Sequence, residues 1–204
     1  GYDPNIYNIQ IPTLSSEEIN VFQSYALEKY FLYVGGSNPN KNIPRLIEAY
    51  HKLQQQYPDT KLVLVGREHF YNKKNLSLIK DLKLSKHIIL TGYLSQDLTK
   101  HLYQNAIAFI FPSLKEGFGL PVLEAMACAC PVITSNTTSL PEVGGTAVHY
   151  IIQTNVSKIY EAMKLFLEDP KLQNQYKSLG LEQCKKFSWH TTAQIIVQKI
   201  KELR

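Results

Sequence analysis

Along most of the chain, short apolar runs alternate with stretches whose apolar residues recur every three or four positions. The runs at 31–34, 61–65, 87–90, 106–111 and 132–134, with a sixth at 147–151, have the length and continuity of buried strands. Between them the spacing predicts helices. The clearest places Ile43, Leu46, Ile47, Tyr50 and Leu53 on one face, with Pro44 in its first turn and an end near Tyr57, before Pro58. Further helices are predicted at about 72–82, at 96–105 behind Ser95, and at about 120–128. Ahead of the first strand, Ser15 and Glu18 have capping-box spacing and predict a helix over about 16–28.

Strand and helix in alternation predict an α/β fold: a parallel sheet of five to six strands, right-handedly crossed over and covered by helices on both faces. From residue 155 onward the pattern is helical only. It includes Asp169 as a cap with Pro170 behind it, and a last helix over about 189–203. The organisation expected is an arm and linker helix over 1–29, a Rossmann-like domain over 30–188 and a carboxy-terminal helix over 189–204.

Composition narrows the class. With 44% hydrophobic and 19% charged residues in 204, the chain can bury one substantial core. No apolar stretch approaches the roughly 20 residues of a membrane span, and a soluble chain is expected. The cysteines Cys128, Cys130 and Cys184 are odd in number and contain no C-x-x-C, so a reducing cytoplasm fits best and no metal site is expected. The net charge of +5 is spread over scattered lysines such as Lys73, Lys74, Lys100, Lys185 and Lys186, read as solvated. Arginine clusters with interleaved aromatics are missing, which argues against nucleic acid.

In an open parallel sheet, ligands lie beyond the carboxyl ends of the strands, where helix amino termini offer free N–H groups. Three segments there are chemically unusual. The first, Val34-Gly35-Gly36-Ser37-Asn38-Pro39-Asn40-Lys41-Asn42, is a glycine turn with a lysine at the start of a helix, a place where an anion would explain the cation. An ordinary loop with an exposed lysine weighs equally. The second, 111–124, contains Glu116, Gly117, Phe118, Gly119, Leu120 and Glu124; its glycines and helix start suit a phosphate, and the two carboxylates eight positions apart can face one ligand. The third, 134–145, is rich in hydroxyls that can donate to sugar or phosphate oxygens.

Taken in order, these segments resemble the carboxy-terminal domain of the group 1, or family 4, retaining glycosyltransferases, one half of the two-domain GT-B fold. The most specific piece is the glutamate, seven residues, glutamate motif from Glu116 to Glu124, and Thr91-Gly92-Tyr93-Leu94 and Ser139-Leu140-Pro141-Glu142-Val143 also match. The resemblance implies a nucleoside-diphosphate sugar as donor substrate, held without a metal or other cofactor. By the same resemblance, Lys41 with the amides of Gly119 and Leu120 holds the diphosphate, Glu116 lies beside the transferred sugar, and Gly35, Gly36, Gly117 and Phe118 belong to the donor-binding set. Glu124 bonds the ribose, and Gly92, Tyr93 and Leu94 border the base. Glu116 and Lys41 are the expected catalytic pair.

Many relatives carry an arginine where this chain has Gly36 or Asn40, which leaves more to Lys41, with Arg67 and Lys115 as substitutes of lesser weight. The style of the chain resembles mannosyltransferases of surface polysaccharide, pointing to GDP-mannose as donor and a glycan or lipid-linked saccharide as acceptor. That acceptor would bind through an amino-terminal domain not contained here, and peripheral association with the inner face of the membrane stays open. A GT-B-like epimerase of a UDP-amino sugar, and a nucleotide-sugar-binding module without turnover, are the other readings.

Overall fold

The computed structural model describes residues 2–66 and 73–202. The strands are β1 (Lys29–Val34), β2 (Thr60–Val65), β3 (Ile88–Gly92), β4 (Ala108–Phe111), β5 (Val132–Ser135) and β6 (His149–Ile151). They form one parallel sheet in the order β3-β2-β1-β4-β5-β6. This is the doubly wound arrangement, and strand order reverses between β1 and β4. All six expected strands are present, with ends moved by up to two residues.

The helices are α1 (Ser16–Ser24), α2 (Ile43–Gln54), α3 (Lys73–Asp81), α4 (Gln96–Asn105), α5 (Leu120–Ala127), α6 (Leu140–Gly144), α7 (Val156–Glu168), α8 (Pro170–Cys184) and α9 (Trp189–Glu202). Right-handed crossovers put α2 and α3 on one face of the sheet and α4 and α5 on the other, because the winding direction changes at β1. Helix α7 packs on α2, and α8 packs on α5, completing the two layers. The core is continuous through the sheet: Phe31, Leu32, Val63, Phe109, Ile110 and Val132 are fully buried, as is the whole predicted face of α2.

Several expectations change. Helix α1 stops at Ser24 rather than Glu28, because Ala26 turns into the left-handed region at φ 47°. The capping box of Ser15 and Glu18 forms as expected, and Asp169 caps α8 ahead of Pro170. Residues 140–144, read as part of a loop, make a short helix. The arm is a hydrogen-bonded turn strapped to the sheet's α4 and α8 side rather than a free extension. Tyr2 Oη donates to Cys184 Sγ, Lys100 Nζ to Asn8 Oδ1 at 2.7 Å, and Gln104 Nε2 to the carbonyls of Asn8 and Gln10. Lys100 is therefore buried and partnered, not solvated. Cys128, Cys130 and Cys184 are buried free thiols, and burial pushes the Cys128 thiol up to about 12.

Helix α9 buries none of its residues and leaves Trp189, Ile195, Ile196, Val197 and Ile200 more than half exposed. Among the described residues no helix is long and apolar enough to cross a membrane.

Leu46, fully buried where α2 meets the sheet, anchors the helix that follows the first loop. Leu46→Ala should lower unfolding stability by about 2–5 kcal/mol, through lost transfer energy and the cavity left behind. Chemical denaturation reads this as a lower midpoint at unchanged slope.

Candidate functional site

The reversal between β1 and β4 leaves a crevice, and the first two segments meet across it. After β1, Gly35 takes φ 149° with its N–H donating to Val65 O, and Tyr33 Oη donates to Gly36 O at 2.6 Å. A Cβ on Gly35 would lie 2.9 Å from that tyrosine oxygen, so close approach of backbone here depends on glycine. A tight 3-10 turn over Pro39–Lys41 follows. Asn42 then sits in the left-handed region at φ 60° and starts α2.

Cross-links to the loop after β4 come one after another. Leu114 N–H donates to Asn40 O at 2.7 Å and Asn40 Nδ2 to Lys115 O at 3.0 Å. The Asn42 side chain, 2% exposed, donates to Pro112 O at 3.0 Å and Gln153 O at 2.7 Å and accepts from Arg45 Nη1. Between these, Lys41 Nζ meets Glu116 Oε1 at 2.6 Å, their side chains 18% and 11% exposed. The same ammonium lies 5.0 Å from the centre of the Phe111 ring, at the end of β4. The structure thus brings together the two residues expected to be catalytic, 75 positions apart in sequence.

Gly119, at φ 112°, caps α5. A Cβ there would come within 2.8 Å of Leu140 Cδ2, which ties the second loop to the start of α6. At the start of α5, Pro121 has no N–H and the Val122 N–H donates to Gly119 O at 2.9 Å, so Leu120 supplies the first-turn amide at this end of the sheet. Gly117 and Gly36 face open space.

The third segment behaves differently from its expectation. Thr134 and Ser135 are buried inside β5, and Thr134 Oγ1 donates to Phe111 O at 2.9 Å. Thr138 Oγ1 accepts from Glu116 N–H at 3.1 Å, and Ser139 Oγ contacts the carbonyls of Glu116 and Phe118 at 3.2 and 2.8 Å. These hydroxyls brace the loop that carries Glu116 instead of reaching toward a ligand.

Glu124 occupies another environment. It lies one turn into α5, facing α4 and the arm, with Tyr103 and Tyr7 as neighbours; their rings meet edge-on at 6.3 Å. Burial pushes its carboxyl up to about 7, and the approach of the Tyr103 hydroxyl, short of an ordinary hydrogen bond, opposes the rise only in part. Gly92 takes φ 71° at the end of β3, and Tyr93, 74% exposed, and half-buried Leu94 follow it. These three stand two strands from the β1 loop that carries Lys41 and three from the β4 loop that carries Glu116, on the side of the sheet where Tyr93 and Glu124 both lie near Tyr7. Lys115 is exposed, and Arg67 lies outside the described residues. A cavity of about 670 Å³ opens between α2 and α3 on the outer flank of the first loop; Lys41, Glu116 and Glu124 do not line it.

Sequence reasoning missed the roles of Asn42, Thr138 and Ser139, and the place of Tyr7 beside Glu124. Asn42 carried a signal, since asparagine tolerates the left-handed region where a turn meets a helix. The aperiodic arm around Tyr7 carried none.

Glu124 makes stability depend on pH with a definite sign. Its folded value near 7 exceeds the ordinary 4.5, so the native state holds a proton that the unfolded chain releases. Its contribution is complete below about 4.5 and is lost as pH rises through 7. His101 and His149, lowered by burial, contribute with the opposite slope. Glu124→Gln leaves them in place, so the wild-type minus variant stability, measured by denaturation from pH 4 to 8, should fall with pH across that window. An unchanged difference would mean the carboxyl titrates normally.

The sequence profile of the family described as glycosyl transferases group 1 matches residues 15–183, a span containing all three loops. The O-antigen chain mannosyltransferase B of Escherichia coli is 36% identical over 198 residues, covering 93% of this chain and 51% of the relative. The chain therefore spans about half the length of that relative. Two solved structures share the fold. Sucrose-phosphate synthase from Thermosynechococcus elongatus aligns with a TM-score of 0.82 at 23% identity, over 100% of this chain and 51% of the other. The C-terminal domain of a glycosyl transferase group 1 family protein from Francisella tularensis aligns with a TM-score of 0.74 at 24% identity, over 91% of this chain and 97% of that domain. With a Rossmann-like sheet whose reversal carries the glutamate motif, and a profile matched across most of its length, this chain belongs to the group 1 glycosyltransferases, and it shares the fold of the Francisella carboxy-terminal domain.

Proposed function

We propose that this chain is the donor-binding half of a retaining glycosyltransferase that moves mannose from GDP-mannose to a glycan or lipid-linked saccharide in surface polysaccharide synthesis, at the cytoplasmic side of the membrane. The observation that carries the reading is the Lys41–Glu116 pair, set in the crevice of the strand reversal beside the amide end of α5. The E. coli relative, an O-antigen chain mannosyltransferase, supports mannose.

In this reading the diphosphate lies over the Gly35–Gly36 turn, with its charge met by Lys41 and by the amides of Gly119 and Leu120, without a metal. Lys41 exchanges part of its contact with Glu116 for phosphate oxygens and stabilises the leaving diphosphate. Glu116, braced by Thr138 and Ser139, stands beside the transferred sugar. The bond from the anomeric carbon to the diphosphate breaks while an acceptor hydroxyl attacks on the same face. Glu124 takes the ribose, and Gly92, Tyr93 and Leu94 border the base. The acceptor hydroxyl must be held about 3–3.5 Å from the anomeric carbon with water excluded, which calls for a second wall facing this one.

Calorimetry with GDP, UDP, ADP and the matching nucleosides tests the donor assignment, with GDP expected to bind tightest. Lys41→Ala should weaken the nucleoside diphosphate by about 1.5–3 kcal/mol and leave the nucleoside nearly unchanged. Equal losses for both would remove the diphosphate role. Glu124→Ala should weaken both ligands, whereas Glu116→Ala, which frees Lys41 from its competing carboxylate, should strengthen nucleoside diphosphate binding and impair transfer in the two-domain protein. The 204-residue chain alone, incubated with radiolabelled donor and acceptors, should bind donor and transfer nothing. Acceptor glycosylation by this chain would overturn the division of labour.

A further inference from the structure

Beside the loop that carries Glu116 lies a cleft of about 410 Å³ that the donor reading does not use. Phe118, Phe187 and Trp189 supply its aromatic surface, and Glu142, Lys186 and Thr191 its polar groups. Phe118 and Phe187 meet edge-on with ring centres 6.0 Å apart, while Trp189, at the start of α9, keeps 57% of its surface exposed toward solvent. The cleft falls within the size range of small-ligand sites, about 300–1,000 Å³.

Its composition is selective. An acyl chain would match the rings but make no use of the exposed Glu142 carboxylate or of the Lys186 ammonium, which already donates to Gln183 Oε1. A pyranose ring meets both demands: its C–H faces pack against aromatic rings, and its rim of hydroxyls bonds to carboxylate, ammonium and threonine. The cleft is also mechanically joined to the donor loop. Ser139 Oγ contacts the carbonyls of both Glu116 and Phe118, and Glu142 follows three residues later on α6. Gln183, itself buried, ties the Lys186 wall to α6 by donating to Val143 O at 3.0 Å and accepting from Lys186 Nζ at 2.8 Å.

We propose that this cleft is a saccharide subsite, taking a pyranose unit of the acceptor glycan next to the sugar held by Glu116. The inference rests on the donor reading above for the identity of the neighbouring ligand, and it assigns acceptor contacts to this domain as well as to the facing one. Because the relative named above is an O-antigen chain mannosyltransferase, an α-linked mannotriose is the probe.

The sequence has a single tryptophan, Trp189, so its fluorescence reports on this cleft alone. Titrating the 204-residue chain with the mannotriose should give a saturable change in Trp189 emission. Glu142→Gln, an exposed and structurally mild change, and Phe187→Ala should each weaken it by about tenfold or more while nucleoside diphosphate binding stays as in wild type. Nucleoside diphosphate binding without any Trp189 response, or a response that both variants retain, overturns the subsite. Loss of nucleoside diphosphate binding by the wild type overturns the donor reading instead, and a Trp189 response would then still assign the cleft to a saccharide.

Discussion

The site depends on one ion pair placed where the winding of the sheet changes direction. Lys41 and Glu116 are both largely withdrawn from water, and each charge alone would cost several kcal/mol to keep there. Together, with the Phe111 ring beneath the ammonium, they offset most of that cost. The backbone around them explains the geometry. Asn40 and Asn42 stitch the β1 loop to the β4 loop on either side of Lys41, and Thr138 and Ser139 hold the β4 loop from the β5 side. Three consecutive strand ends are thereby fixed to one another, and the pair sits where an arriving anion would compete for the ammonium.

The two glutamates of the motif illustrate how surroundings divide chemistry between identical side chains. Glu116 faces an ammonium at a loop with open space on Gly117. Glu124, half-buried, has two tyrosines as neighbours, and burial raises it into the physiological range. Seven residues of sequence separate them, yet one lies over the crevice and the other beside Tyr7 and Tyr103. The glycine cap at 119, with its positive φ, turns the chain from one setting to the other.

Much of this architecture was legible in the chain. Apolar runs located every strand because a sheet covered on both faces leaves no polar alternation to confuse the reading, and the stripe from Ile43 to Leu53 located α2 because all of it is buried. What failed was local. Pro141 and the glycines after it read as loop although they frame a turn of helix, and Ala26 ends α1 through a backbone angle its identity does not announce. Lys100 read as solvent-exposed because its partner, Asn8, belongs to an arm without periodicity. Motif spacing placed Lys41 and Glu116 in one site. Their direct contact lay beyond sequence, since it depends on loops joined across the sheet.

The position of β1 has a consequence for how the chain comes into being. Its neighbours are β2, close by, and β4, with Phe31 beside Ala108 and Leu32 beside Phe109. During synthesis at about 5–20 residues per second, β1, with Tyr30 to Tyr33 all apolar enough to be buried in the finished sheet, keeps one edge open for several seconds, until β4 leaves the ribosome. Such an unpaired edge is a template for pairing with other chains. The strand reversal that creates the crevice therefore also creates an interval in which one edge of β1 is open to pairing with other chains.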